Sequence, residues 1–117
     1  MKNPDLKDPF GSIDTLSESF QQGILTPSNV MESHLQRIEA HEPKLGAYQA
    51  LYIDSALSAA DAASKAIASG HRIGPFHGIP FALKDIFDLE GQITTNGSLA
   101  LADRVSTKTG TIVRRLV

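Results

Sequence analysis

Cysteine is absent from the 117 residues, which excludes a disulfide framework, a thiolate nucleophile and a cysteine metal site. Positive charge is not in excess either: the formal net charge is -2 and the pI is near 6.0. Arg114 and Arg115 form a lone pair rather than a stripe, so no basic field exists for a phosphate backbone to find, and direct contact with nucleic acid is not expected. The opening MKNPDLKDPF holds no apolar h-region, and no segment approaches the length of a membrane span. A soluble, cytoplasmic protein without membrane contact is the expectation. Repeats and low-complexity segments are lacking. His34 has Glu32 nearby and His41 adjoins Glu42, but neither pair has a third ligand at metal spacing, so no metal or other cofactor is expected.

What is present fits one ordinary soluble domain or a piece of a larger one, with 41% hydrophobic and 21% charged residues and room for only a small core. The front half is helical. Ile13, Leu16, Phe20 and Ile24 recur at helical spacing until Gly23 stops the run, which predicts an amphipathic helix over 12–22. Thr26 followed by Pro27 is an N-cap with proline at the first helical position; Met31, Leu35 and Ile38 then give the stripe of a second helix ending before Pro43. These two helices are expected to pack as a hairpin. Residues 47–52, Ala47 to Tyr52, are short and aromatic enough to predict a strand.

Asp54 is expected to cap a third helix through ALSAADAASKAIASG, terminated by Gly70 in the left-handed conformation. Its alanine content, with Leu57 and Ile67 as the large apolar residues, predicts a thin face that lies close to a sheet. His71 to Gly78 reads as loop. Pro80 then opens a nearly all-apolar run from Phe81 to Ile86, as expected of a strand covered on both faces. Leu89 to Ser98 is loop again, with Gly91 and Asn96-Gly97 as turn signals. A last helix begins near Thr109 or Gly110, carries Ile112, Val113 and Leu116, and meets Val117 without a stop signal. The chain is therefore expected to be truncated inside an element.

One residue breaks the pattern. Lys84 sits inside the apolar run GPFHGIPFALKDIF. Burying an ammonium is costly unless it is paired, and burial favours loss of its proton, which turns a lysine into a general base. The alternative is structural: Lys84 pairs with Asp85 or Asp88, or reaches solvent at the strand's end. Successive strand residues point to opposite faces, which sets Asp85 away from Lys84.

The stretch from Gly74 to Asp85, GPFHGIPFALKD, resembles the lysine-bearing segment of the amidase signature family: Gly-Pro-Leu-x-Gly-Ile-Pro, a short apolar run, then Lys-Asp. Phe76 in place of leucine is a mild change. Downstream, TTNGS at 94–98 resembles the family's Thr-Thr-x-x-Ser element, and TGTIVRRL resembles the helix after it. Upstream, GILTPSNVMESHLQRIEAHEPKLGAY is similar to the family's N-terminal helices. Nearly the whole chain is covered.

The resemblance implies amide hydrolysis by a nucleophilic serine, a second serine in a cis peptide, and a lysine, with Lys84 on the lysine position. It also implies the N-terminal part of an α/β fold, a mixed sheet flanked by helices on both sides. The chain departs from the family in one respect. Both serines belong to a glycine- and serine-rich signature, and no such run occurs among these residues, so the chain alone is expected to be inactive. Ser98 reads as a cap or turn residue rather than a substitute nucleophile, and His77 as a loop residue. The implied partner is a small-molecule amide, with homo-oligomers possible through an uncovered strand edge. A stand-alone amidase is the first reading, weakly favoured by the middle residues of TTNGS. The amidotransferase subunit that moves glutamine-derived ammonia onto misacylated glutamyl- or aspartyl-transfer RNA is the second, and a non-catalytic fragment or interaction module the third.

Overall fold

The computed structural model describes residues 5–117. The chain divides into two compact units, Met1–Pro80 and Phe81–Val117.

The first unit holds three helices: α1 (Ile13–Gln21), α2 (Pro27–Leu45) and α3 (Ile53–Ala68). Local chemistry sets their ends. Ser12 caps α1 by accepting from the backbone N–H of Thr15, and Thr26 caps α2 in a reciprocal box with Asn29. Gly46 and Gly70 adopt left-handed backbone conformations after α2 and α3, and the Gly46 N–H returns to the Glu42 carbonyl at 2.9 Å. Two boundaries differ from expectation. α2 continues through Pro43, because a proline this close to the end removes a single intrahelical bond and Gly46 stops the helix within the same turn. α3 begins at Ile53, so Asp54 lies in its first turn instead of capping it. There a carboxylate still complements the positive end of the helix dipole.

Leu16 and Phe20 of α1 and Val30 of α2 form the core, with Leu25, Ile67 and Ile79 packed against it. The expected α1–α2 hairpin is not the principal contact: the most extensive helix packing is α2 against α3. The alanine face of α3 explains this, since buried Ala60 and Ala63 let another backbone approach closely. A helix occupies the face predicted to meet a sheet. At the crossing, Ser64 Oγ donates to the Ala60 carbonyl at 2.8 Å and accepts from the Ser28 N–H at 3.1 Å, with Ser28 Oγ 3.0 Å away. Ser19, fully buried, donates to the Leu6 carbonyl at 2.6 Å and accepts from the Leu25 N–H at 3.1 Å. Both hydroxyls are thus satisfied.

Gly78 belongs to this packing. Its φ is +83°, and a Cβ added there would lie 2.4 Å from Pro27 Cγ. The ring of Pro27 is buried and cannot swing away. Gly78→Ala is therefore expected to destabilise the unit by about 2 kcal/mol, from left-handed strain and overpacking together. A urea titration followed by helical circular dichroism checks this, and an unchanged midpoint refutes it.

The second unit corrects the strand expectations. No strand occurs among the described residues, and pairing is limited to one antiparallel bridge, Ile93 with Val105. Phe81 to Ile86 has neither a paired edge nor a cover: Phe81 is 47% exposed and Ile86 52%. Its backbone bonds go into a turn instead, the Lys84 carbonyl accepting from Ile86 N–H at 2.7 Å and Phe87 N–H at 3.1 Å. Ala47 to Tyr52 is likewise irregular. An extended segment becomes a strand only beside another, so the mixed sheet is not formed among these residues. A short 3-10 helix, Leu99–Leu101, and a one-turn helix, α4 (Thr111–Arg114), complete the unit. Val113 is fully buried there. Among the described residues, no helix is long and apolar enough to cross a membrane.

Candidate active site

Lys84 opens the turn that runs to Asp88, and its side chain is exposed. The burial anticipated for it depended on apolar neighbours that themselves face outward. The structural alternative fails as well. Among the described residues no carboxylate lies within ion-pair distance of its Nζ, because both nearby aspartates are held elsewhere.

Asp85 is bound to the Thr94–Ser98 element. Its Oδ1 accepts from the Thr95 N–H at 2.9 Å, its Oδ2 accepts from the Thr95 hydroxyl, and its backbone carbonyl accepts from the Asn96 N–H at 2.9 Å. Asn96 and Gly97 both have positive φ, 52° and 70°, which is how the turn presents its donors to one acceptor. The Thr95 hydroxyl, followed by its backbone N–H, holds the Asp85 carboxyl below the usual aspartate range.

Asp88 is gripped by the other side of the unit. Arg104 donates two hydrogen bonds to it in a fork, at 2.9 and 3.2 Å, and Ser106 Oγ donates to Oδ1 at 2.8 Å. Ser106 Oγ also lies 3.1 Å from Thr94 Oγ1, which donates to the Phe87 carbonyl at 3.2 Å. The Gly110 N–H donates to the Asp88 carbonyl at 2.9 Å, joining the turn to α4. Thr94 and Ser106 are buried, 2% and 4% exposed, whereas Ile86, Ile93 and Val105 are about half exposed. Hydrogen bonds rather than apolar burial organise the backbone around Lys84.

The network makes a pH prediction. Arg104, then Ser106, hold the Asp88 carboxyl below its usual range. A carboxyl with a lowered folded pKa adds stability above its unfolded pKa, and that contribution is lost as pH falls through the folded value. The amides of Gly110 and Ser106 should therefore keep their exchange protection at pH 5 and lose it progressively below about pH 4, the ordinary aspartate range. Asp88→Asn should remove the acid step. Hydrogen exchange that ignores pH across this window in the unsubstituted chain contradicts the assignment.

The other candidates are now placed. Ser98 caps the 3-10 helix by accepting from the Ala100 N–H at 3.3 Å. His77 Nδ1 accepts from the Ile73 N–H at 3.2 Å, which makes the ring part of the Gly74–Gly78 turn. His34 Nδ1 donates to the Val30 carbonyl at 2.9 Å, and its ring lies 5.0 Å from that of Phe10, which carries the Arg37 guanidinium at 4.5 Å. A shallow groove of ≈ 350 Å³ is lined by residues of α2 and the turn after it, including Arg37, His41 and Tyr48. No residue of the Lys84 unit lines it. The partners Thr95, Arg104 and Ser106 are not singled out by sequence reasoning. Their signal is two aspartates spaced three apart, followed by polar segments with no apolar periodicity.

Residues 29–117 match the family described as Amidase. A glutamyl-tRNA(Gln) amidotransferase subunit from Acidothermus cellulolyticus is 37% identical over 79% of this chain and 18% of its own length. The corresponding subunit of Chloroflexus aurantiacus is 40% identical over 81% of this chain and 20% of its own. An acylamidase of Rhodococcus erythropolis is 30% identical over 86% and 21% respectively. The chain thus spans about a fifth of the length of the curated relatives it matches. With residues 29–117 covering the helices, the lysine-bearing turn and the threonine element that holds it, the chain belongs to the Amidase family.

Proposed function

We propose that Lys84 is the general base of an amide-cleaving centre of the Ser-cisSer-Lys type, acting on a small-molecule amide. The observation that carries this reading is the unpaired amine on a fixed turn. A lysine held by a carboxylate is kept as an ammonium, whereas a base must give up its proton, and both aspartates beside Lys84 are engaged by other residues.

In this reading the neutral amine accepts a proton from the bridging serine, which accepts one from the nucleophilic serine as its oxygen bonds to the substrate's carbonyl carbon. The tetrahedral intermediate then collapses with cleavage of the carbon–nitrogen bond, and the proton returns by the same route to the leaving nitrogen. Water hydrolyses the acyl-serine. The two serines belong to a signature these 117 residues do not hold, and the desolvation that frees the amine comes from whatever covers Lys84 in the working enzyme. The same cover would supply neighbours that turn Phe81 to Ile86 into a strand of a mixed sheet. The reading takes the cytoplasm as the site of action and allows self-association through the uncovered apolar residues.

A second reading is favoured by the names of two relatives: an amidotransferase component that releases ammonia from glutamine for a partner protein, without itself touching the transfer RNA. Both readings use Lys84 identically. The test is turnover of an amide by a polypeptide joining this sequence to a serine signature, with and without Lys84→Ala. Hydrolysis of simple aryl amides in the absence of partner proteins selects the amidase.

A further inference from the structure

We propose that Thr95 and Arg104 are positioning residues that keep the Asp85 and Asp88 carboxylates from pairing with Lys84. The inference rests on the reading of Lys84 as the base, and it gives the Thr94–Ser98 element a specific task.

Two carboxylates stand within four residues of Lys84, on a turn closed by its own carbonyl. Left free, either would be a ready counter-ion for an exposed ammonium. Neither is free. Asp85 commits both oxygens to the N–H and hydroxyl of Thr95. Asp88 accepts the Arg104 fork and the Ser106 hydroxyl, so its charge is already matched by a cation. A guanidinium meets a carboxylate with two parallel donors, a fit an ammonium cannot reproduce. Each aspartate serves the turn as a structural acceptor while its charge is directed away from the amine. A rigid loop alone could have been built with asparagine. With aspartate, the hydrogen bonds are stronger, but losing one partner releases a charge beside Lys84.

The test reads the amine directly and needs no amidase activity. The 117-residue chain is acetylated with the N-hydroxysuccinimide ester of acetate across a range of pH, and modification of Lys84 is followed by mass spectrometry. Lys65 and Lys108 are internal controls. Thr95→Val deletes the hydroxyl donor at nearly constant shape. It is expected to slow acetylation of Lys84 about 2- to 5-fold at fixed pH relative to Lys108, the size of a solvent-exposed ion pair, and to move its pH profile upward. Thr95→Ser should restore the rate. Thr95→Val with Asp85→Asn should also restore it, because no charge remains to be released. Arg104→Gln, alone and with Asp88→Asn, should repeat the pattern. If Thr95→Val merely loosens the loop or unfolds it, Lys84 reacts at the same rate or faster and Asp85→Asn does not reverse the change, which overturns the proposal. A slowing shared equally by Lys65 and Lys108 overturns it too. Failure of Lys84 as the base would appear instead as Lys84→Ala retaining turnover, a separate outcome.

Discussion

Replacing Lys84 by alanine is expected to lower amide turnover by more than about 10²-fold, the low end of what a positioned acid–base group contributes, and to leave the thermal midpoint where it was. The two halves of this expectation have independent grounds. Turnover falls because no other residue of the lysine-bearing turn can exchange a proton with a serine: Asp85 and Asp88 are bound carboxylates. Stability holds because the side chain is exposed and forms no ion pair among the described residues, and surface substitutions of that kind change stability by no more than about 0.5 kcal/mol. A structural lysine would behave oppositely, since breaking a buried pair costs about 3–5 kcal/mol. Turnover and thermal midpoint, measured together in a polypeptide carrying the serine signature, separate the cases. Near-normal turnover in Lys84→Ala ends the assignment.

The largest expected loss of stability comes from Phe20→Ala. Phe20 is 4% exposed and sits with Leu16 and Val30 at the centre of the helical unit, against which Leu25, Ile67 and Ile79 pack. Truncating a buried phenylalanine removes its transfer free energy and leaves a cavity, typically costing about 3–5 kcal/mol. The cluster is small and draws on all three helices, so no other apolar group stands ready to fill the space. Against a typical stability of about 5–15 kcal/mol for a whole domain, such a loss is a large fraction. Helical circular dichroism in urea should show the midpoint falling sharply. A change under about 1 kcal/mol would mean that Phe20 is not the centre of this core.

The helical unit is largely legible in the sequence because its instructions are local. Ser12, the Thr26-Pro27 pair and Gly70 each act on backbone groups within four residues, and each does what its chemistry predicts. The partner of α3 is not legible: an alanine face accepts a sheet or a helix equally well, and only the Ser28–Ser64 contact with α2 decides it. The lysine segment is recognisable as a motif but misleading as architecture. An apolar run such as Phe81 to Ile86 reports affinity for cover without saying what supplies the cover. The site's partners lie further beyond reach, since periodicity carries no trace of an aspartate that meets a threonine ten residues away or an arginine sixteen away. Resemblance locates Lys84; the geometry around it comes from the structure.

The side-chain hydrogen bonds that shape the lysine-bearing turn all close short loops. The longest of them spans 19 residues, Glu90 to Thr109, and those of Asp85 and Asp88 span 10 to 18. Short loops close within about 0.1 μs, and contacts of small sequence separation are the first a folding chain can make. The turn can therefore organise early, from its own residues, without waiting for distant sequence. During synthesis the amine would already be set on its fixed turn when later segments arrive, so that any catalytic centre assembled around it condenses onto a preformed part.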